Sequence, residues 1–400
     1  MKKKHHILFV HYGDNWIRGS ERCLLEHLNH LDKNSFRPFI WTNSEALHTE
    51  VKRMGFNSEL SEFPLLFGWR KPRVNLLAWF RLIKQGIRMI KSKGINLIHL
   101  NSAAPCQWMN FSARIMNIPL LTQIHTDYPA RDRLTLGLHF SPGIIAVSDA
   151  VTRSLIRDGY PQSRLSVIHN GIDTERLAGY EAVDIHQYLD LPEDTYIFLT
   201  VGSLIKRKGI DRILSALRHI ALEYPQTHLV VIGDGPMRKK LELITDELHL
   251  TEQVHFVGEK DNAMGWMRGA DAFISGARNE PFGLVITEAA LAELPIIAPE
   301  TGGIPEIISH KKHGLLYKNT GVKPMVDMMR LILKKPEAAR RLAQNANAHI
   351  RKNYTIEHNT QAIESHYRKA ISARLIPSLS WFAACRPIKT YVSKRLFQGG

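Results

Sequence analysis

Short apolar runs alternate with helical patterns along the whole chain, and this constrains the fold more than any other feature, because strands separated by helices pair in parallel. Residues 6–10, 38–41, 95–100, 119–124, 144–147 and 166–168 form a first series of such runs. A second series, 196–201, 228–232, 253–257, 272–275, 295–298 and 314–317, repeats the pattern. Between the two, residues 170–194 are polar and weakly periodic, which marks a boundary. A chain of 400 residues also exceeds what one hydrophobic core serves, so two doubly wound α/β domains with a cleft between them are expected. The predicted bounds are 1–175 and 176–354, followed by a C-terminal helix and basic tail over 355–400.

With 44% hydrophobic and 23% charged residues the composition is that of a globular chain, which excludes collagen-like, coiled-coil and disordered classes. No run approaches the roughly 18–20 apolar residues of a membrane span, and the N-terminus lacks the apolar stretch of a signal peptide. Cys23, Cys106 and Cys385 are too few and too scattered for a disulfide framework or a thiolate metal site. A reducing cytoplasmic location is therefore expected.

The net charge of +15 is concentrated at the ends of the chain. No acidic residue occurs between Glu62 and Asp127, a segment that contains Arg70, Lys71, Arg73, Arg81, Lys84, Arg88, Lys91, Lys93 and Arg114. The last 36 residues are likewise free of Asp and Glu. Within the first basic segment, residues 74–93 read as a helix with an apolar stripe of Leu76, Trp79, Phe80, Ile83, Ile87 and Ile90. Arg81, Lys84, Arg88 and Lys91 run beside that stripe. Such a helix packs its apolar side on a sheet, rests its cations on an anionic lipid surface, or does both. The tail, with Trp381-Phe382 among basic residues, reads either as an interfacial anchor or as a loosely ordered terminus. Neither zinc-finger spacing nor an RNA-binding aromatic signature accompanies these cations, so no nucleic-acid partner is expected.

In open α/β sheets ligands bind at the carboxyl ends of strands, where helix N-termini offer free N–H groups to phosphate. Three loops of this kind stand out. The first holds Arg18-Gly19-Ser20-Glu21 at the start of a helix. The second, Gly202-Ser203-Leu204-Ile205-Lys206-Arg207-Lys208-Gly209, places three cations where a departing diphosphate would need neutralising. The third begins at Glu280 and turns through Gly283 into a helix bearing Glu288, so that one carboxylate stays on the loop and the other can grip a vicinal diol. Thr301-Gly302-Gly303-Ile304-Pro305-Glu306 then offers another glycine pair opening a helix, a candidate phosphate cradle.

The order of these segments resembles the retaining glycosyltransferases of the GT-B fold, specifically glycosyltransferase family 4, over about residues 7–370. Gly19-Ser20-Glu21 resembles that family's glycine-rich loop, His125 its acceptor-domain histidine, and Asn170-Gly171-Ile172-Asp173 its interdomain turn. Arg207-Lys208-Gly209 is similar to its diphosphate turn, Glu280 to Glu288 to its Glu-x7-Glu signature, and Gly302-Gly303-Ile304-Pro305-Glu306 to the companion motif. Arg18, Ser203 and Glu293 depart from the pattern, standing where the family often has Gly, Arg and Gly.

This resemblance implies two Rossmann-like domains, an N-terminal one for the acceptor and a C-terminal one for a nucleotide-diphosphate sugar. It assigns Glu280, Lys208 and His125 to catalysis and Gly19, Arg207, Lys208, Gly283, Glu288, Gly302 and Gly303 to donor binding. The implied reaction moves a hexose, from a UDP-sugar by preference, to a lipid-linked or glycan acceptor of the bacterial cell surface, such as lipopolysaccharide, O-antigen, capsule or exopolysaccharide. No Asp-x-Asp triplet occurs, so no metal or other cofactor is expected. The basic patches imply peripheral attachment to the inner face of the cytoplasmic membrane. The alternatives that share such domains are a sugar-nucleotide epimerase, a glycan phosphorylase and a non-catalytic nucleotide- or lipid-binding scaffold.

Overall fold

A computed structural model of the chain describes residues 4–68 and 74–397, with side chains as far as Val392. The expected cations Arg70, Lys71 and Arg73 lie outside the described residues. The chain divides into two compact units, residues 1–171 with 356–400 and residues 172–355. The C-terminal segment, set apart in the sequence reading, thus clusters with the first unit.

The first unit is built on a seven-stranded parallel sheet of β1 (His5–His11), β2 (Phe36–Thr42), β3 (Asn57–Leu60), β4 (Leu97–Leu100), β5 (Leu120–Ile124), β6 (Ile144–Ala146) and β7 (Leu165–Val167). Their spatial order is β3-β2-β1-β4-β5-β6-β7. The second unit carries β8 (Tyr196–Val201), β9 (Thr227–Ile232), β10 (Val254–Gly258), β11 (Ala272–Ile274), β12 (Ile296–Pro299) and β13 (Leu315–Tyr317) in the order β10-β9-β8-β11-β12-β13. Both are doubly wound sheets. In each, the order reverses between the first and fourth strands of the unit, and ligands of such sheets bind at the carboxyl side of that switch point.

The apolar runs are legible as strands because helices cover both faces of a parallel sheet. Ile7, Leu8, Phe9 and Val10 of β1 and Ile197, Phe198 and Leu199 of β8 are fully buried. The edge strand β3 is absent from the sequence reading. Its Asn-Ser-Glu-Leu is partly exposed along its length and offers no apolar run.

The helix Leu76–Lys93 forms as expected, with Asn75 accepting the Ala78 amide at its start and Gly94 closing it in the left-handed region. Its buried face, however, is Leu82, Ile83, Gly86, Met89 and Ile90, while Leu76 and Phe80 of the predicted stripe are exposed. Gly86 decides the face. A Cβ there would lie 2.8 Å from Ser112 Oγ and 3.1 Å from Met109 Sδ, so its absence lets this helix press against the helix Cys106–Met116. The Ser112 hydroxyl donates to the Ile83 carbonyl across that contact at 3.1 Å.

The helix Ile356–Ser372 packs on the first unit through Tyr367, whose hydroxyl lies 3.0 Å from His27 Nε2 and 2.7 Å from His99 Nδ1. Beyond it the Leu120 amide donates to the Leu375 carbonyl, and helices Trp381–Cys385 and Ile388–Phe397 fold back onto the turn Leu138–Phe140 and the helix Ala130–Thr135. Of the two tail readings, a loosely ordered terminus does not describe residues 375–392.

Burial pushes His27 down to about 3 and His99 well below the usual histidine range. The unfolded chain binds protons at these rings near pH 6.5 and the folded chain does not, so stability is complete above that value and declines below it. Each ring removes about 1.4 kcal/mol per pH unit over this range. Urea unfolding at pH 7.5, 6.0 and 5.0 should show the loss, and His27→Leu should flatten the slope.

Candidate active site

In the second unit, four neighbouring strand ends converge. The turn after β8 carries Gly202, with φ of 150°, then the short helix Lys206–Lys208 and Gly209 in the left-handed region at 64°. Lys208 folds back so that its Nζ lies 2.7 Å from Glu280 Oε2, on the loop after β11. Arg207 stands 3.7 Å from the same carboxylate oxygen and donates to the Asn279 carbonyl at 3.1 Å. Lys208 and Glu280 are mostly buried, so the pair is screened less than a surface ion pair.

Glycines let these loops come so close. A Cβ on Gly209 would lie 2.0 Å from the Gly276 carbonyl oxygen, and one on Gly276 would lie 2.2 Å from that of Gly209. Gly233, after β9, meets the Gly202 carbonyl at 2.1 Å in the same way. Gly302, with φ of 58°, would place a Cβ 1.9 Å from the Glu280 carbonyl oxygen, and the Gly303 amide donates to that oxygen at 2.8 Å. The Gly302-Gly303 pair, expected to open a phosphate cradle, therefore clamps the backbone of Glu280, and the Gly303 amide is engaged there.

Gly283 is the N-cap of the helix Leu284–Leu291, at φ of 117°, and Glu288 follows half-buried on that helix. Just past the end of the helix, Glu293 adopts a left-handed φ of 58°. That is the position where glycine was expected, and the backbone there has the shape that favours one.

Sequence reasoning missed the pair that braces the two loops. Arg278 donates to Asp211 through both terminal nitrogens, at 2.8 and 2.6 Å. Burial raises the Asp211 carboxyl, but the hydrogen bonds and charge of Arg278 outweigh it and leave its pKa lowered. Neither residue stands in a recognisable motif.

The first unit has its own polar cluster at the ends of β1, β4 and β5. Gly19 is the first residue of the helix Gly19–His30, and Glu21 reaches back to accept the Arg18 amide through Oε2 at 3.1 Å. Glu21 Oε1 lies 2.9 Å from His11 Nε2, His11 Nδ1 lies 3.0 Å from Asn101 Nδ2, and Asn101 Oδ1 lies 3.0 Å from His125 Nε2. Burial pushes Glu21 up, yet the hydrogen bond from His11 and the local amides hold it at about 2. Burial pushes His125 down to about 4. His125 and the loop Gly19-Ser20-Glu21 were picked out from the sequence, and Asn101 was not. His11 and Asn101 are 90 residues apart, and only the strand order brings them together. Arg18, where a glycine was expected, stacks its guanidinium 4.0 Å from the Trp16 ring centroid.

Two family models match the chain: "Glycosyltransferase Family 4" over residues 17–176 and "Glycosyl transferases group 1" over residues 183–349. Together they cover most of it. A lipopolysaccharide core biosynthesis glycosyltransferase, LpsD of Rhizobium meliloti, is 28% identical over 46% of this chain, which spans 53% of that relative. N-acetyl-alpha-D-glucosaminyl L-malate synthase of Bacillus anthracis is 23% identical over 69% of this chain and 75% of its own length. Among solved structures, Anabaena HepE in complex with UDP superposes with a TM-score of 0.77 at 20% identity, covering 91% of this chain and 99% of that one. The same protein has been solved with UDP-glucose.

Gly302→Ala should cost about 1–3 kcal/mol, since it adds a Cβ both to a left-handed backbone and into a carbonyl oxygen. Gly179→Ala, with φ of −74° and its new Cβ 3.5 Å from the Arg176 carbonyl, should stay within about 0.5 kcal/mol of the parent. Thermal unfolding of the two variants side by side checks both values.

Proposed function

We propose that this chain, which has the GT-B fold and is matched over most of its length by two glycosyltransferase family models taken together, moves a hexose, with retention of anomeric configuration, from a nucleotide-diphosphate sugar to a membrane-associated glycan or glycolipid acceptor. The observation that carries this reading is Lys208 held at 2.7 Å from Glu280, with Arg207 beside them, at the switch point of the second sheet. Breaking a bond between an anomeric carbon and a diphosphate puts negative charge on the leaving phosphate and positive charge on the sugar ring. Fixed cations stabilise that distribution more than they stabilise the ground state. Lys208 and Arg207 take the diphosphate, Glu280 orients the sugar hydroxyls, Glu288 binds the ribose diol, and His125 meets a substrate hydroxyl. UDP is the preferred nucleotide, a choice supported by the ligands named for Anabaena HepE. A lipopolysaccharide-type acceptor is supported by the name of the Rhizobium relative.

These cations do the work a metal ion does in other sugar-nucleotide enzymes, so turnover is expected without added divalent ions. Lys208→Ala should lower kcat by on the order of 10², the scale reported for loss of one preorganised electrostatic contact. The check is a transfer assay run with EDTA present, alongside a thermal-shift comparison of UDP, GDP and ADP. Strong EDTA inhibition reversed by a divalent ion would show that a metal shares the charge after all.

Attachment to the cytoplasmic face of the membrane is supported by two exposed regions of the first unit. No helix among the described residues is long and apolar enough to cross a bilayer. Leu76, Leu77 and Phe80 lie open on the helix that also exposes Arg81, Lys84, Arg88 and Lys91. That helix packs on Cys106–Met116, which packs on Leu138–Phe140, which in turn carries the helix of Trp381 and Phe382. The two aromatic rings are 84% and 87% exposed, with Lys389 nearby. Apolar groups ringed by cations suit an anionic lipid surface. Binding to phosphatidylglycerol vesicles should weaken with salt, and replacing Trp381 and Phe382 by Ser should lower partitioning about tenfold or more. Flotation against neutral vesicles supplies the control, and equal partitioning onto both would remove the electrostatic part of the reading.

A further inference from the structure

Two of the four groups in the cluster at the ends of β1, β4 and β5 have a hydrogen-bonding sense that leaves no choice. A carboxylate only accepts, so the Glu21 contact at 2.9 Å requires the proton on His11 Nε2. A peptide carbonyl also only accepts, and the Ser20 carbonyl lies 3.3 Å from one end of the Asn101 amide. That end must be the NH2 group. It also faces His11 Nδ1 at 3.0 Å, so His11 Nδ1 carries no proton and accepts. Asn101 Oδ1 is left facing His125 Nε2 at 3.0 Å, and an amide oxygen there requires a proton on Nε2.

His11, Glu21 and Asn101 are each at most 3% exposed, so water does not compete for these bonds. Gly13 closes over the first of them: a Cβ there would come within 2.5 Å of His11 Nε2 and 2.9 Å of Glu21 Oε1. The Gly13 loop is itself pinned from both sides by Asn43, which accepts the Gly13 amide at 3.0 Å and donates to the Gly13 carbonyl at 2.8 Å.

We propose that Glu21, His11 and Asn101 form a polar relay that locks His125 as its Nε2–H tautomer, leaving Nδ1 as the atom that accepts a hydrogen bond from a substrate hydroxyl. This deepens the transferase reading and rests on it for the identity of the hydroxyl. Glu21, His11 and Asn101 are positioning residues, since each acts on the substrate only through His125. Without the relay a neutral imidazole distributes between two tautomers, and in one of them a donor would face the hydroxyl's lone pairs where an acceptor should meet its proton. The burial that disfavours a charged His125 works in the same direction, because an imidazolium would present a proton at both nitrogens.

The test is a two-bond 1H–15N correlation spectrum of the full-length protein with 15N-labelled histidine at pH 7.5, the His125 ring assigned by its disappearance in His125→Gln. The wild type should show a single neutral Nε2–H ring at His125. Asn101→Leu, which keeps the volume and removes both ends of the amide, should convert that signal to a tautomer mixture and lower kcat/KM about tenfold while His125 stays in place. A wild-type His125 protonated at Nδ1, or an Asn101→Leu spectrum unchanged from wild type, would overturn the relay; the wild-type spectrum decides even if the variant does not fold. Turnover untouched by His125→Ala would overturn the substrate-facing role of Nδ1. Failure of the transferase reading would appear instead as Lys208→Ala without effect, so the two can be told apart.

Discussion

Backbone packed directly on backbone at strand ends is the constraint from which the second unit's chemistry follows. Gly209 against Gly276, Gly202 against Gly233 and Gly302 against Glu280 bring four loops to a separation that no side chain would permit. Lys208 reaches Glu280 because the turns that carry them are already in contact, and the Arg278–Asp211 fork fixes their spacing from the outer side. The ion pair is then a consequence of loop geometry more than its cause. For the transfer proposed above this matters, since a cation fixed before the bond breaks needs no reorganisation when charge appears.

The first unit solves a different problem. Its polar residues at the strand ends are buried, and burial of polar groups is tolerable only when each donor meets an acceptor. Glu21, His11, Asn101 and His125 satisfy one another in sequence across three strands. Near the same strands Tyr367 meets His27 and His99, so the C-terminal helix is tied into the sheet by hydrogen bonds as well as by apolar contact. The chain end is therefore part of this unit's core, although its sequence is far from the strands it covers.

Twelve of the strands were legible as apolar runs because both faces of a parallel sheet are covered, and the exception, Asn57–Leu60, is an edge strand without such a run. The convergence of the loops around Lys208, Glu280 and Gly302 was legible because each follows a strand of one doubly wound sheet, whose carboxyl ends lie together. Which face of Leu76–Lys93 is buried was not legible: its apolar residues support two stripes, and Gly86 selects between them through an absence that hydropathy does not register. His11 and Asn101 are single polar residues following ordinary strands. Their partnership depends on β1 and β4 being neighbours, which local pattern cannot reveal.

Main-chain contact between the loops also limits how this scaffold can diversify. Where carbonyl oxygens occupy the space of a Cβ, Gly209, Gly276 and Gly302 cannot acquire a side chain. On the donor reading proposed above, selectivity is then written at neighbours that already bear side chains, Ser203, Ile205 and Asn279 among them, while the frame beneath stays in place. Directed evolution of this enzyme would find its productive substitutions between the glycines and almost none upon them.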